Sequence, residues 1–225
     1  MKKAVVLLSG GLDSAVTCFI AKREYECHAL VFDYGQKAKR EIESAKNLAE
    51  EARVFFQIIK LPLSWRGNAL TDDTIEIPDG DASADGKIPV TYVPARNIVF
   101  LSFGVSFAEA IGAEAVFIGA HQMDFSNYPD CRSSFFESFE EAVRCGTKSG
   151  TRGGGIKIMT PIINMTKKEI VEEGIRLGVP FQYTWSCYRD GGIPCGSCES
   201  CLLRAKGFVE AGGEDPLIAK NRNEE

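Results

Sequence analysis

The stretch Ala4-Val5-Val6-Leu7-Leu8-Ser9-Gly10-Gly11-Leu12-Asp13-Ser14-Ala15-Val16-Thr17-Cys18 decides the fold. Five consecutive apolar residues, followed at once by a glycine turn, read as a short buried strand. The residues from Ser14 to Lys22 have the character of a helix, so the chain passes from strand through Ser-Gly-Gly directly into a helix N-terminus. Glycines let the backbone approach an anion closely. The first amides of the helix then point unpaired hydrogens, with the positive end of the dipole, at whatever lies there. Ser9 and Ser14 add hydroxyl donors. Asp13 would be repelled by bare phosphate, so it either caps the turn or meets phosphate through Mg2+, and the second role is the one preferred.

The alternative is a plain turn with a good N-cap. The two familiar glycine fingerprints are both absent, since no Gly-x-Gly-x-x-Gly follows the first strand and no Gly-x-x-x-x-Gly-Lys-Ser/Thr occurs. Position favours phosphate binding, because ligands of α/β sheets sit beyond the carboxyl ends of the strands.

Outward from this stretch, further apolar runs predict strands at Ala29 to Phe32, Phe55 to Leu61, Ala115 to Ile118 and Lys157 to Met159. Helices are predicted from Lys39 to Arg53, Ile98 to Ile111, Ser134 to Arg144 and Thr166 to Leu177. Two open with capping-box patterns, Ser134-x-x-Glu137 and Thr166-x-x-Glu169. This alternation implies an α/β fold with a doubly wound, mainly parallel sheet. The stretch from Pro62 to Val90 shows no periodicity and reads as a loop or lid near the site. The expected organisation is one main domain, 1–180, with a C-terminal segment, 181–225, packed on it.

The 225 residues are 44% hydrophobic and 25% charged, ordinary proportions for a folded domain. Thirty-one acids against 26 bases give a net charge of -5, which argues against a nucleic-acid partner and for small substrates. No apolar run is long enough to cross a bilayer, and Lys2-Lys3 followed by Ala4 to Leu8 is too short for a signal sequence, so a cytoplasmic location is expected.

Half of the eight cysteines fall between 187 and 201. Cys187-x7-Cys195-x2-Cys198-x2-Cys201 supplies four thiolates with two tight steps suited to tetrahedral Zn2+, and four thiolates fill the coordination shell, so the ion would be structural. An iron-sulfur cluster is the rival that spacing alone does not exclude. Cys18, Cys27, Cys131 and Cys145 stand apart as ordinary positions, of which Cys131 is the one to watch.

Ser9-Gly10-Gly11-Leu12-Asp13-Ser14 resembles the SGGxDS pyrophosphate loop of the N-type ATP pyrophosphatases. Members of that family adenylate an oxygen of a carboxylate, urea-like or amide group, and a nitrogen or sulfur nucleophile displaces the nucleotide. The resemblance implies an adenine nucleotide alpha hydrolase-like, Rossmann-like sheet and a nucleotide segment running from Leu8 through Cys18. The loop alone leaves ammonia ligases and tRNA-modifying enzymes both open.

Further blocks resemble the nitrile-forming branch of the family: Phe32-Asp33-Tyr34-Gly35-Gln36, Tyr92-Val93-Pro94-Ala95-Arg96-Asn97, Asp124-Phe125-Ser126-Asn127-Tyr128-Pro129-Asp130-Cys131-Arg132, Thr160-Pro161 with Lys167 and Glu169, and the cysteine block. They cover nearly the whole chain. The resemblance implies conversion of 7-carboxy-7-deazaguanine and ammonia, with ATP and Mg2+, to the 7-cyano base for queuosine or archaeosine precursor synthesis, in a homodimer. Ser9, Asp13 and Ser14, with Lys167 and Arg96, are then the catalytic candidates. A deazaguanine presents N–H donors that Asp124 or Asp130 would accept, while Arg132 or Arg96 would meet a carboxylate or phosphate. His121, just after the fourth strand, is placed for a general base or for shaping the loop.

Overall fold

The computed structural model describes residues 1–80, 87–122 and 128–222. Five strands alternate with helices: β1 (Lys2–Leu7), α1 (Leu12–Ala21), β2 (Tyr25–Asp33), α2 (Arg40–Ala52), β3 (Phe55–Lys60), α3 (Arg96–Ile111), β4 (Ala115–Ile118), α4 (Ser133–Gly146), α5 (Lys148–Thr151), β5 (Lys157–Met159), α6 (Lys167–Leu177), α7 (Glu199–Glu210) and α8 (Pro216–Arg222). All strand pairs are parallel, in the order β3-β2-β1-β4-β5. The order reverses between β1 and β4, so the crevice at their carboxyl ends is where a ligand belongs.

Alternation along β1 explains the two layers. Ala4, Val6 and Leu8 join α1, α2 and α6 residues in one apolar cluster, and Val5 and Leu7 join α3 and α4 residues in the other. β1 is buried from Ala4 onward on both faces because helices cover both, as central parallel strands require. Gly104 on α3 allows this approach, since a Cβ there would meet Val116 and Leu7.

The five predicted strands and five long helices are all present, with two differences. The Thr166–Glu169 capping box forms, but the Ser134–Glu137 box does not. α4 starts a residue earlier than expected, with Arg132 at the N-cap position and no side-chain cap. The Ser133 amide and hydroxyl donate instead to Gln122 Oε1, each at 3.1 Å. α7 and α8 went unpredicted because they begin inside and after the cysteine block, where metal spacing hides helical periodicity. α7 packs on α6 at Gly207, whose missing side chain leaves room for the Lys167 stem, and its Phe208 meets Phe181, which follows α6, edge-on.

The expected lid also differs. The described part of 62–90 lines neither cavity at the carboxyl edge. It is held internally by buried Asn68, which accepts from the Leu70 and Thr71 amides, and it is fastened to the cysteine segment. The Gly80 amide donates to the Ser197 carbonyl at 2.9 Å, and Arg189 donates to the Ile77 carbonyl and Asp79 at 2.8 Å. Ala69, Ile77 and Trp185 form an apolar cluster with Cys187, Cys198 and Cys201. No helix among the described residues is long and apolar enough to cross a membrane.

Candidate active site

Gly10 takes φ +92°, a backbone conformation that a side chain strains, and a Cβ there would run into the backbone of Glu41 and Ala45 at the start of α2. Gly119, after β4, is equally constrained, because its Cβ would lie 2.8 Å from the backbone of Asp13 and Ser14. Two glycines therefore let β1, α2 and the β4 loop close around one cradle. Within it the Ser14 hydroxyl accepts from the Ser9 amide at 3.2 Å and from the Ser9 hydroxyl at 3.0 Å, and donates to the Gly11 carbonyl. The Trp185 amide fixes the Gly10 carbonyl from the C-terminal segment at 2.9 Å. α1 starts at Leu12, so its first-turn amides face the cradle.

A cavity of about 240 Å³ runs from this cradle over the ends of β1 and β2, between Phe32, Tyr34, Phe100 and Glu41. A second, of about 170 Å³, continues past Asp13 and Arg96 to Lys167, Tyr128, Tyr188 and Glu199. Asp13, Arg96, Cys131 and Tyr188 line both, so the two are compartments of one cleft. A wider groove of about 1220 Å³ lies at the amino ends of the strands, beside Lys2 and Glu114. Its glycines at 153–155 run from α5 into β5 rather than from a strand end into a helix start, and it is lined mainly from the edge of the sheet opposite the Ser9–Ser14 cradle.

Lys167, Asp13 and His121 meet where the compartments join. The Lys167 ammonium donates to both Asp13 oxygens at 2.9 and 3.0 Å and lies 2.9 Å from His121 Nε2. His121 Nε2 is 3.3 Å from Asp13. Burial alone would raise the Asp13 carboxyl, but the neighbouring Lys167 and His121 outweigh it and hold it well below the usual carboxylate range. Asp13 thus answers to a lysine brought from α6, 154 positions away.

Arg96, the first residue of α3, stacks over Tyr34 at 5.9 Å and reaches its hydroxyl at 3.5 Å. It faces both compartments. Asp130 is buried, accepts the Asn97 amide at 3.1 Å through its carboxylate and the Asn97 side chain at 3.0 Å through its carbonyl, and so ties the start of α3 in place. Arg132 is exposed and lines neither compartment. Asp124 lies outside the described residues. Ala15, Val16, Thr17 and Cys18 line neither compartment and are buried in the core, so the nucleotide segment reaches the cavity only as far as Ser14. Cys131 lines both compartments, but burial and Asp130 push its thiol up to about 12, so it is a neutral thiol rather than a nucleophile.

Two acids at the site escaped the sequence reading. Glu41, in the first turn of α2, enters the nucleotide compartment, where burial pushes its carboxyl up to about 7 against the opposing pull of Arg96. Glu199 fills a variable position of Cys198-x-x-Cys201 and is 5% exposed. The signal for Glu41 was its place near a helix start just after the Phe32–Gln36 block, and Glu199 gave none.

The four sulfurs of Cys187, Cys195, Cys198 and Cys201 all lie within 4.8 Å of one another, with Cys195 and Cys201 3.9 Å apart. Thiolates about 2.3 Å from a tetrahedral ion are separated by roughly 3.8 Å, so the set fits a metal. Backbone amides of Arg189 and Cys195 donate to Cys187, and that of Cys198 to Cys195, each at 3.4 Å, as thiolate ligands require.

A phosphate cradle at the switch point of a parallel sheet, opening into a second compartment for an acceptor, defines a nucleotide-dependent group-activating enzyme of the pyrophosphate-loop class. The family model described as queuosine biosynthesis protein QueC matches residues 3–212, and the chain belongs to that family. It is 50% identical over 218 residues to the 7-cyano-7-deazaguanine synthase of Thermoplasma acidophilum, covering 96% of this chain and 91% of the relative. The synthase of the same name from Nostoc punctiforme is 48% identical over 221 residues, covering 96% and 99%. Among solved structures, NMN synthetase from Francisella tularensis shares the fold at a TM-score of 0.51 and 16% identity, covering 98% of this chain and 82% of that one.

Proposed function

We propose that this chain is an ATP-dependent carbon–nitrogen ligase that converts 7-carboxy-7-deazaguanine and ammonia into 7-cyano-7-deazaguanine by adenylating first the carboxylate and then the amide. The observation that carries the reading is the two-compartment cleft with Lys167, Asp13 and His121 at its junction, in a chain about half identical to relatives of that name.

The chemistry follows from what must be activated. A carboxylate is a poor electrophile, so one of its oxygens attacks the α-phosphorus of ATP and pyrophosphate leaves into the Ser9–Ser14 cradle. Ammonia then forms a C–N bond, and AMP departs with that oxygen. In the second round the amide oxygen attacks another ATP. Loss of AMP and of the nitrogen-bound protons leaves the nitrile, so one cradle serves both rounds. Lys167 and Arg96 are the cations placed to meet charge developing at the phosphorus, and Asp13 keeps Lys167 aimed at the junction. His121 is within reach to accept a proton there.

Mg2+ accompanies ATP and supplies charge neutralisation of its phosphates. Zn2+ is the ion assigned to the four cysteines, which leave it no open position, so its contribution is to fix the C-terminal segment. The net charge of -5 favours small substrates over nucleic acid. A cytoplasmic location suits eight cysteines that form no disulfide. Exposed Phe55 on edge strand β3 and exposed Phe103 on α3 support a homodimer packed on that face.

The test is mass spectrometry of metal-loaded protein with ATP, Mg2+, ammonium and 7-carboxy-7-deazaguanine. Nitrile and AMP are expected. An acid returned unchanged by protein that binds ATP would reject the substrate assignment.

A further inference from the structure

In dinucleotide-binding sheets an acid about 20 residues beyond the glycine turn accepts a ribose hydroxyl. Here that place, the end of β2, is held by Asp33, but Asp33 does not line the nucleotide compartment and its side chain meets Lys39 at 3.3 Å. The acid inside the compartment is Glu41, in the first turn of α2. Its backbone is pressed against the phosphate cradle, where only a glycine at position 10 lets the Glu41 carbonyl come so close. The Glu41 carboxylate is therefore held within a side chain's length of the cradle.

An acid in such a place could serve the fold alone, as Asp130 does by accepting the Asn97 amide. Glu41 does not. Among the described residues no hydrogen bond or ion pair engages its carboxyl, although the Arg96 charge bears on it and it bears in turn on the Tyr34 phenol. Glu41, Tyr34 and Arg96 all line the same cavity, with the acid and the cation close enough to feel each other and too far apart to pair. The order of groups along ATP says what belongs there. With pyrophosphate on Ser9 to Ser14 and the α-phosphorus at Lys167 and Arg96, the ribose is the next unit and the adenine the farthest. A ribose offers two neighbouring hydroxyl donors, and a carboxylate offers two oxygens that only accept.

We propose that Glu41 recognises the sugar of ATP, its two carboxylate oxygens accepting the 2′- and 3′-hydroxyls while the triphosphate lies on the cradle. This deepens the functional reading and rests on its use of ATP. Hydroxyl donors favour the charged carboxylate and so offset the burial that pushes this group up to about 7 in the empty compartment. The contact also fixes the nucleotide at a second point. Pyrophosphate is held at the start of α1 and the sugar at the start of α2, so the α-phosphorus between them is oriented for attack.

The test is isothermal titration of metal-loaded protein, in the presence of Mg2+, with ATP, 2′-deoxy-ATP and ITP, for wild type, Glu41→Met and Glu41→Gln. Wild type should bind ATP about tenfold to a hundredfold tighter than 2′-deoxy-ATP, the usual cost of depriving a charged, buried acceptor of one donor. Glu41→Met, which removes both acceptors, should bring that ratio to within about threefold. Glu41→Gln, whose amide oxygen still accepts one hydroxyl, should fall between, and it carries the comparison if the methionine variant does not fold. The ratio decides, because losing a negative charge near the triphosphate also relieves repulsion and alters ATP affinity itself. ITP differs from ATP only in the base, so the ATP-to-ITP ratio should be the same in all three proteins. A wild type that binds ATP and 2′-deoxy-ATP equally overturns the proposal without any variant. So does a full ribose preference in the variants, or an ATP-to-ITP ratio that collapses in them while the ribose preference stays, which would put the acid on the base. Binding of neither nucleotide removes the ATP dependence and the proposal together. Protein that shows the ribose preference yet returns 7-carboxy-7-deazaguanine unchanged upholds the contact and rejects only the substrate assignment.

Discussion

The phosphate cradle is made from consecutive residues, Ser9 to Ser14, whereas the compartment beside it draws on Asp13, Arg96, His121, Lys167, Tyr188 and Glu199 from separate parts of the chain. The cradle's side-chain hydrogen bonds need only local geometry, a strand end, two glycines and a helix start, and the packed α2, the β4 loop and the Trp185 amide close around it. Its hydrogen bonds run between near neighbours, such as the Ser14 hydroxyl to the Gly11 carbonyl. The acceptor compartment exists only once α6, α7 and the β4 loop have packed, so its charges depend on tertiary structure. Substitutions in it should therefore divide sharply according to whether a side chain reaches the cleft.

The largest effect is expected at the hinge between the two regions. Lys167→Met should lower kcat/KM by about a thousandfold, in the range seen when a preorganised group facing developing charge is removed. The variant also leaves the Asp13 carboxylate with less opposing charge. In the wild type that carboxyl is held low, so its stabilisation is present above the unfolded value near 3.8 and lost as pH falls below it. Melting temperatures from pH 3 to 7 should therefore fall more steeply on acidification in the wild type than in Lys167→Met. Parallel slopes would mean the ion pair adds nothing to the fold.

How far each region could be read from sequence follows the same division. The five strands and the cradle were legible because hydrophobic runs and the Ser-Gly-Gly turn are contiguous signals. Lys167 could be named as a phosphate contact but not as the partner of Asp13, because no spacing rule links positions 13 and 167. Arg132 read as a substrate cation and is exposed, because sequence does not reveal which way a residue at a helix start faces. Glu199 was hidden for another reason: metal ligands at Cys198 and Cys201 account for the local pattern and make the residues between them look like filler. The stretch 62–90 reads as a loop or lid through its length, yet its described part up to Gly80 is the packing layer of the cysteine segment.

Removing the metal should have the next largest effect, and an unequal one. Chelation should raise the KM for the acid about tenfold or more, by the logic of lost ligand support, while altering ATP affinity less. It should also expose residues 189–197 to proteolysis, a readout independent of turnover. Equal loss of both affinities would contradict the separation of the two compartments.

A smaller effect is expected at Glu41. Its carboxyl is pushed up to about 7 from an unfolded value of 4.5, so the native state keeps a proton that the unfolded chain releases. Stability from this group is full below about pH 4.5 and declines as pH rises towards about 7. Glu41→Gln should thus melt higher than wild type at pH 8 and close to it at pH 4, measured by thermal denaturation. A difference independent of pH would exclude titration of this group.

The smallest effect is expected at Arg132, which lines neither compartment. Arg132→Ala should change stability by less than about 0.5 kcal/mol, as surface substitutions do. Its kcat/KM should remain within about twofold, a factor worth less than roughly 0.5 kcal/mol of transition-state stabilisation. A large loss in a steady-state assay would place a substrate contact on the outside of the cleft and break the comparison.

The central claim is that one cradle activates two oxygens in succession. Substrate acid carrying 18O in both carboxylate positions tests it directly. If each oxygen becomes the bridge to a nucleotide before leaving, two AMP form for every nitrile, and each carries one heavy oxygen. Heavy oxygen appearing in water or in inorganic phosphate, or a nitrile formed with a single AMP, would contradict the account.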